Sequence, residues 1–191
     1  MMSRILSETE LSNIPSYDLG DILLRPIVLE DYLDMYEYGS DTDVTKYLLW
    51  STYTKLDDAL SSVKEFFLNR PSKGIPQAHA IIDKKTNKMI GTCDFAGYHP
   101  EESRGEIGYV LSKDYWGKGI MTKACKKVIE FGFNYLDLDL ITIRHHHNNV
   151  GSGVVAKRCG FKYIKDVYNK RFDTYIPYYE LHRSDYENNI S

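Results

Sequence analysis

The sequence predicts one α+β domain, built from a mixed sheet with helices on both of its faces. Three observations predict this fold: a strand followed by helices at the start, three consecutive strands in the middle, and a helix–strand–helix–strand–strand end. Runs of strands and runs of helices, rather than strict alternation, are typical of α+β proteins. A doubly wound dinucleotide-binding fold would alternate strand and helix from the start, which this chain does not do.

Each element is predicted from its hydrophobic spacing and from the residues that end it. The first strand, residues 21–26, ends at a proline, which has no N–H for a central ladder. Gly39 stops the helix that begins near Leu29, and Pro71 lies beyond the second helix, residues 57–69. In chain order, the remaining predicted elements are strands 77–82, 89–98 and 106–111, helix 119–135, strand 138–145, helix 149–159, and strands 161–168 and 174–181.

Composition predicts a soluble, cytoplasmic protein. The chain has 191 residues, of which 42% are hydrophobic and 27% charged, and we expect one domain over residues 20–185 after a loosely attached segment, residues 1–19. The net charge of −3 provides no basic surface for nucleic acid or anionic lipid. The N-terminus turns polar at once and no apolar run is long enough to span a bilayer, so we expect neither a signal peptide nor a membrane span.

Cysteine and histidine usage gives little sign of a metal site. The three cysteines are far apart in the sequence and form no CxxC pair, which favours a reducing compartment over disulfides or zinc. His145 and His147 would share one face of a strand end, but two ligands do not make a site, so we expect no metal. The histidine run is therefore either a packed or solvated strand end, or part of an acceptor site or proton relay.

The most informative segment joins the third strand of the middle run to the long helix. It reads Trp-Gly-Lys-Gly-Ile-Met-Thr over residues 116–122, with two glycines flanking one residue directly before the helix. Such a turn brings several backbone N–H groups to one point, where the positive end of the helix dipole adds to them. This arrangement predicts an anion site suited to a pyrophosphate. A plain glycine-rich turn between strand and helix is the alternative.

Two other phosphate-binding motifs fit this segment poorly. A P-loop needs a longer spacing between its glycines and a Gly-Lys-Ser/Thr ending, whereas one residue separates Gly117 from Gly119. A dinucleotide-binding fingerprint needs a third glycine, where Thr122 stands, and a βαβ unit at the start of the fold. We therefore expect neither motif.

Two blocks of sequence carry a resemblance to a known family. Residues 105–124, Gly-Glu-Ile-Gly-Tyr-Val-Leu-Ser-Lys-Asp-Tyr-Trp-Gly-Lys-Gly-Ile-Met-Thr-Lys-Ala, resemble the acyl-coenzyme A motif of the GNAT N-acetyltransferase superfamily. Asn149-x-x-Ser152, with Lys-Arg-Cys-Gly-Phe at residues 157–161, is similar to the next helix of its Rim-type branch, which acetylates N-terminal amines of ribosomal proteins. With Leu-Arg-Pro at residues 24–26, the resemblance spans nearly the whole chain.

The resemblance implies a GNAT-like, mostly antiparallel sheet and acetyl-CoA as the acyl-donor cosubstrate. In this family, N–H groups of the loop and helix start hold the pyrophosphate, and a strand that splays from its neighbour pairs with the pantetheine arm. Trp116 and Met121 depart from the family pattern, but the donors at these positions are backbone groups. The implied cofactor-binding residues are Tyr109, Val110, Leu111, Gly117, Lys118, Gly119, Ile120, Met121, Thr122 and Asn149.

Acetyl transfer to an amine needs a group that takes a proton and a group that stabilises the leaving thiolate. Glu106 is the candidate base because it starts an otherwise apolar strand, where a carboxylate is costly to bury. A salt bridge to Arg104, two residues earlier on the same face, is its alternative role. The tyrosine that acts as general acid in many family members would fall at Ala156, so it is absent. Ser152 is then the candidate thiolate partner, with helix capping as its alternative role.

Three functions are consistent with these observations. The first is an acetyl-CoA-dependent N-acetyltransferase that acts on the N-terminal α-amine of a protein or peptide. The second keeps this chemistry for a small amine, such as a polyamine, amino acid or aminoglycoside. The third is a non-catalytic acyl-CoA-binding module, motivated by the missing tyrosine. The expected partner is an amine acceptor, with neither nucleic acid nor membrane, and a homodimer is left open.

Overall fold

An eight-stranded sheet forms the centre of the computed structural model, which describes residues 5–190, with side chains through Asn188. In chain order, the strands are β1 Tyr17–Asp18, β2 Ile22–Pro26, β3 His79–Asp83, β4 Lys88–His99, β5 Arg104–Leu111, β6 Leu140–Arg144, β7 Lys162–Asn169 and β8 Thr174–His182. Their spatial order is β1-β2-β3-β4-β5-β6-β8-β7. Among the described strands, only β5 and β6 pair in parallel, and all other neighbours are antiparallel. The predicted mixed, mostly antiparallel sheet is thereby confirmed.

Helices cover both faces of this sheet, as predicted. They are α1 Glu8–Ser12, α2 Tyr32–Gly39, α3 Thr42–Thr45, α4 Leu56–Ser61 (continued by a π-helical stretch, Ser62–Phe67), α5 Ile120–Asn134, α6 Val150–Arg158 and α7 Arg183–Ile190. One core lies between the sheet and α5, with Phe95, Ile129 and Ile141 buried in it. A second core lies on the opposite face, where α2 and α4 contribute Met35 and Ala59. Among the residues described, no helix is both long and apolar enough to cross a membrane.

The N-terminal segment is packed against the domain rather than loosely attached, from Leu6 onward; residues 1–4 lie outside the described residues. Helix α1 begins at a capping box in which the Glu10 N–H donates to Ser7 Oγ at 3.3 Å. Leu11 is only 3% exposed, and its carbonyl accepts from the Gln77 N–H at 2.9 Å. The apolar residues here are too sparse to show a period, which is why the sequence pattern missed this packing.

Two buried polar side chains, those of Arg70 and His79, make hydrogen bonds in the middle of the sheet. Arg70 donates from Nη1 to Asp94 Oδ1 of β4 at 2.6 Å, and from Nη2 to the carbonyl of Phe95. His79, the first residue of β3, donates from Nε2 to the Pro15 carbonyl at 3.1 Å. Burial lowers the pKa of His79 to about 4. The His79 ring is therefore neutral in the folded protein at neutral pH.

Candidate active site

The site begins at a gap between β5 and β6. Strand β5 pairs with β4 along its whole length, but it pairs with β6 only from Arg104↔Leu140 to Glu106↔Thr142. Strand β6 continues to Arg144 in register with β8. The two parallel strands therefore part after Glu106, and one edge of β5, residues 107–111, has no partner among the described strands. The splayed strand implied by the resemblance is present.

The free edge of β5 presents alternate backbone groups to this gap. The Ser112 N–H donates to the Ile90 carbonyl at 2.7 Å, which is on the β4 side. Because backbone direction alternates along a strand, the N–H and C=O groups of Leu111 and Tyr109 face the gap. The Leu111 carbonyl already accepts from the Trp116 indole at 2.8 Å. Val110, predicted as a third cofactor-binding residue, points its backbone groups at β4 instead.

The glycine loop lies between the end of β5 and the start of α5. Gly117 and Gly119 have φ of +74° and +75°, the left-handed region that favours glycine. A Cβ built at either position would meet nothing within 4 Å, so the loop faces open space. The first α5 bond runs from the Lys123 N–H to the Gly119 carbonyl at 3.1 Å. The preceding N–H groups of the first turn therefore have no helical acceptor and can bind an anion.

The side chains of this loop take different positions. The Lys118 ammonium lies 5.0 Å from the centre of the Tyr115 ring, and both Lys118 and the loop glycines are exposed. Met121 is buried at 6% exposure, so its side chain belongs to the core and only its backbone can face a ligand. The departures from the family pattern at Trp116 and Met121 therefore leave the backbone donors free.

The first turn of α6 closes the far side of the gap. Asn149 is the N-cap, and its Oδ1 accepts from the Ser152 N–H at 3.2 Å. The capping role considered for Ser152 is therefore wrong, because Asn149 fills it. The Ser152 carbonyl accepts from the Tyr109 hydroxyl at 3.1 Å. Burial raises the pKa of Tyr109 well above its usual value, so this hydroxyl stays protonated and donates.

Glu106 lies where β5 and β6 part, on the sheet face that carries α2 and α4, which we call the acceptor face. Its carboxylate is held by Arg144, from Nε to Oε1 at 3.0 Å and from Nη2 to Oε2 at 2.7 Å. The predicted alternative partner, Arg104, is wrong, because Arg104 pairs with Glu102 at 2.7 Å. The Glu106 side chain is 18% exposed, so a group entering the gap can still reach it.

The three histidines after β6 face three different neighbours. His145 stacks on Tyr179 with ring centres 5.4 Å apart, and burial lowers its pKa. His146 stacks on Tyr47 at 4.8 Å. The His147 Nε2 lies 3.6 Å from the carboxylate of Asp166. The sequence placed His145 and His147 on one face, but the chain leaves the strand after Arg144 and the two rings diverge.

A contact that the sequence pattern missed lies beside His146, just beyond the end of β6, and we call it the bridge. It joins residues 46–50 to the β7–β8 turn, residues 170–173. Arg171 Nε donates to the Leu48 carbonyl at 3.1 Å, across 123 residues of sequence. The His146 ring lies between Tyr47 and Phe172, with its centre 5.1 Å from that of Phe172. No local spacing could have indicated a contact between segments this distant in the chain.

Comparisons with known proteins agree with this geometry. The sequence model of the acetyltransferase (GNAT) domain matches residues 21–162. The uncharacterized N-acetyltransferase p20 of Bacillus licheniformis is 36% identical over 132 residues, which cover 69% of this chain and 73% of that protein. The spermidine N(1)-acetyltransferase of Escherichia coli is 21% identical over 140 residues, 73% of this chain and 72% of that protein. The ribosomal-protein-S5-alanine acetyltransferase structure from Vibrio fischeri has a TM-score of 0.78 at 18% identity, covering 90% of this chain and 98% of that one.

The chain therefore belongs to the acetyltransferase (GNAT) family. It is an acyltransferase whose acyl donor is acetyl-CoA. The residues present fit this donor, because the free edge of β5 can pair with an amide-bearing arm and the α5 N-terminus can bind a pyrophosphate. The open space beside Gly117 and Gly119 allows that approach.

Proposed function

We propose that this chain transfers the acetyl group of acetyl-CoA to the N-terminal α-amine of a protein or peptide. The observation that carries the proposal is the gap between β5 and β6, which joins the glycine loop to the acceptor face beside Glu106. The bridge, which holds the His146 ring just beyond the end of β6, favours a slim acceptor. A chain terminus can reach beneath such a contact, whereas a lysine on a folded surface would bring its neighbours into collision.

The cofactor-binding residues divide into three groups in this proposal. When bound, acetyl-CoA supplies the thioester that the amine attacks. The loop from Gly117 to Thr122 holds the pyrophosphate through backbone N–H groups. The Tyr109 and Leu111 backbone pairs with the pantetheine arm, and the Asn149 amide nitrogen, left free by the cap, donates to the same arm. The Ser152 hydroxyl takes no part in the α6 cap, where only the Ser152 backbone N–H is bound, and it donates to the departing sulfur.

Glu106 has the role of the proton acceptor on the acceptor face. An α-amine has a pKa near 8, about one unit above neutral pH, so a proton must leave before it can attack. The carboxylate attracts the ammonium and takes that proton once Arg144 releases one of its oxygens. Glu106→Gln should lower kcat and leave the acetyl-CoA Kd nearly unchanged. A loss of folding instead would favour a purely structural ion pair.

A small amine is the second candidate acceptor. The spermidine N(1)-acetyltransferase relative supports it, as does a second carboxylate on the acceptor face. Glu106 pairs in register with Thr142, and Thr142 with Glu180, so the two carboxylates lie in one row across three strands. Carboxylates in a row suit a polyamine, which carries several separated positive charges.

A competition between acceptors tests the proposal. Release of coenzyme A thiol is measured with a peptide that has a free α-amine, with the same peptide N-terminally blocked but containing lysine, and with spermidine. We expect fast release of coenzyme A thiol only with the peptide that has a free α-amine. Faster release with spermidine would show that the acceptor is a small amine rather than an N-terminal α-amine. Binding of acetyl-CoA without release from any acceptor would instead identify a non-catalytic binding module.

A further inference from the structure

One carboxylate on the acceptor face is held by neither a lysine nor an arginine. Glu180 of β8 lies between Tyr179 and Leu181, which face the core beneath α5, so alternation along the strand places its side chain on the acceptor face. That side chain is 21% exposed, so a ligand can reach it. Among the residues described, its polar side-chain contacts are the His182 ring, 3.2 Å from Oε2, and the Tyr178 hydroxyl. Neither of these groups is a permanent cation.

The cations beside Glu180 are already paired with other carboxylates. Arg144 holds both oxygens of Glu106, at 3.0 and 2.7 Å. Lys162 lies opposite Glu180 in the register of β7 and β8, but its ammonium is 2.8 Å from Asp185. A cation on a ligand would therefore supply the charge that this carboxylate lacks.

Tyr178 orients the Glu180 carboxylate on the side of Glu106. Burial and the hydrogen bond to Glu180 raise the pKa of Tyr178, and the charge of Glu106 adds to them. Arg104, a third cation near Tyr178, pairs with Glu102 at 2.7 Å. The Tyr178 hydroxyl therefore stays protonated and donates to Glu180, whose carboxylate keeps lone pairs for a further donor.

The spacing between Glu106 and Glu180 determines which acceptor can reach both. The two residues lie in one row across three strands, with the buried Thr142 between them. Neighbouring strands are about 4.8 Å apart, so the backbone positions of the two residues are about 10 Å apart. In a peptide, consecutive Cα atoms are about 3.8 Å apart, and a long side chain on the second residue extends beyond that. A peptide whose α-amine lies at Glu106 can therefore reach Glu180 with its second side chain.

We propose that Glu180 is a specificity-determining residue that binds a cationic side chain, arginine or lysine, at the second position of the acceptor peptide. The inference rests on the proposed function, because it requires an N-terminal α-amine at Glu106. An arginine at that position can make a charge-assisted pair with the carboxylate through two parallel hydrogen bonds. Glu180 acts in acceptor binding rather than in proton transfer, so its loss should raise KM for such a peptide and leave kcat unchanged.

Two peptides of identical composition test the proposal with the wild-type protein. Both have a free α-amine; one carries arginine at its second residue and alanine at its fifth, and the other has these two residues exchanged. Arginine supplies the charge without adding a second amine that could be acetylated. We expect kcat/KM for release of coenzyme A thiol to be about tenfold higher with arginine second, the effect of one hydrogen bond to a charged group. Equal values would overturn the proposal, whereas acetyl transfer to α-amines would stand.

Glu180→Gln should remove this preference, because it keeps the size of the side chain and an acceptor for Tyr178 but loses the charge. We expect KM for the peptide with arginine second to rise about tenfold, and kcat to stay within about twofold. The control is Glu8→Gln, which removes the same charge from α1 on the other face of the sheet and should keep the preference. A preference that survives in Glu180→Gln would overturn the proposal. Release from spermidine but from neither peptide would refute the proposed function, and the role of Glu180 with it.

Discussion

Substituting Gly119 separates cofactor binding from folding. Gly119 is the N-cap of α5 at φ +75°, and a Cβ there meets nothing within 4 Å. Gly74 is a matched control, because it has φ +73°, equally open surroundings and a place far from the loop in the sequence. Gly119→Trp and Gly74→Trp therefore impose the same backbone strain, and only the first fills the space that a pyrophosphate would approach.

The size of both effects follows from this geometry. A left-handed backbone costs a side-chain-bearing residue about 1–2 kcal/mol, which for a chain of this length lowers Tm by about 5 °C. Both variants should show that shift. A hydrogen bond to a charged group contributes about 1.5–3 kcal/mol. Losing one or two N–H contacts to the pyrophosphate should therefore cost Gly119→Trp about 3 kcal/mol, or about 100-fold in Kd.

Calorimetric titration with acetyl-CoA measures the change in Kd, and thermal unfolding of the same variants measures the change in Tm. The reasoning predicts a raised Kd for Gly119→Trp and a wild-type Kd for Gly74→Trp. Equal, wild-type affinities in both variants would show that the cofactor does not approach this loop. Unfolding of Gly119→Trp alone would show that the open space beside Gly119 is structurally required.

Three further predictions concern stability and the α6 cap. His79 has a pKa of about 4 when folded against 6.5 when unfolded, so the unfolded state binds its proton first as pH falls. The free energy of unfolding should then fall by about 3 kcal/mol between pH 6.5 and 4, and urea titrations of His79→Gln should lack this loss. Asp94→Ala removes the counter-charge of the buried Arg70 and should cost about 3–5 kcal/mol, or about 10 °C in Tm. The control is Asp18→Ala, which breaks an exposed ion pair and should leave Tm nearly unchanged. Equal shifts of Tm in Asp94→Ala and Asp18→Ala would contradict this prediction. Asn149→Ala removes the N-cap and should cost about 1 kcal/mol, with weaker acetyl-CoA binding. Asn149→Asp should restore thermal stability but not affinity, because it keeps the cap oxygen and loses the amide donor.

Local features of the site were predictable from the sequence. The glycine spacing, the helix after it and the strand before it are set by neighbouring residues, so the loop could be assigned to residues 116–122. The order of the larger elements from β2 to β8 was predictable for the same reason, whereas the short elements α1, β1 and α3 and the last helix, α7, were not predicted. Asn149 was singled out as a cofactor residue, and its capping of α6 adds a structural role at the same position.

The ion-pair partner of Glu106 and the orientation of His145 were not predictable, because they depend on how strands distant in the sequence align. Arg144 lies 38 residues after Glu106 and reaches it only because Glu106 pairs with Thr142 in parallel register. A sequence argument could see only Arg104, its near neighbour. The orientation of His145 depends in the same way on where β6 ends, since the chain turns after Arg144.

Amine-dependent release of coenzyme A thiol tests the central claim most directly. Wild-type protein is incubated with acetyl-CoA, with and without a pool of amine acceptors, and thiol and acetylated amine are both quantified by mass spectrometry. The account predicts thiol release that requires the amine, matches the acetylated product one to one and is strongly reduced in Gly119→Trp. Thiol release that is equal with and without amines, or no acetylated product from any of them, would contradict it.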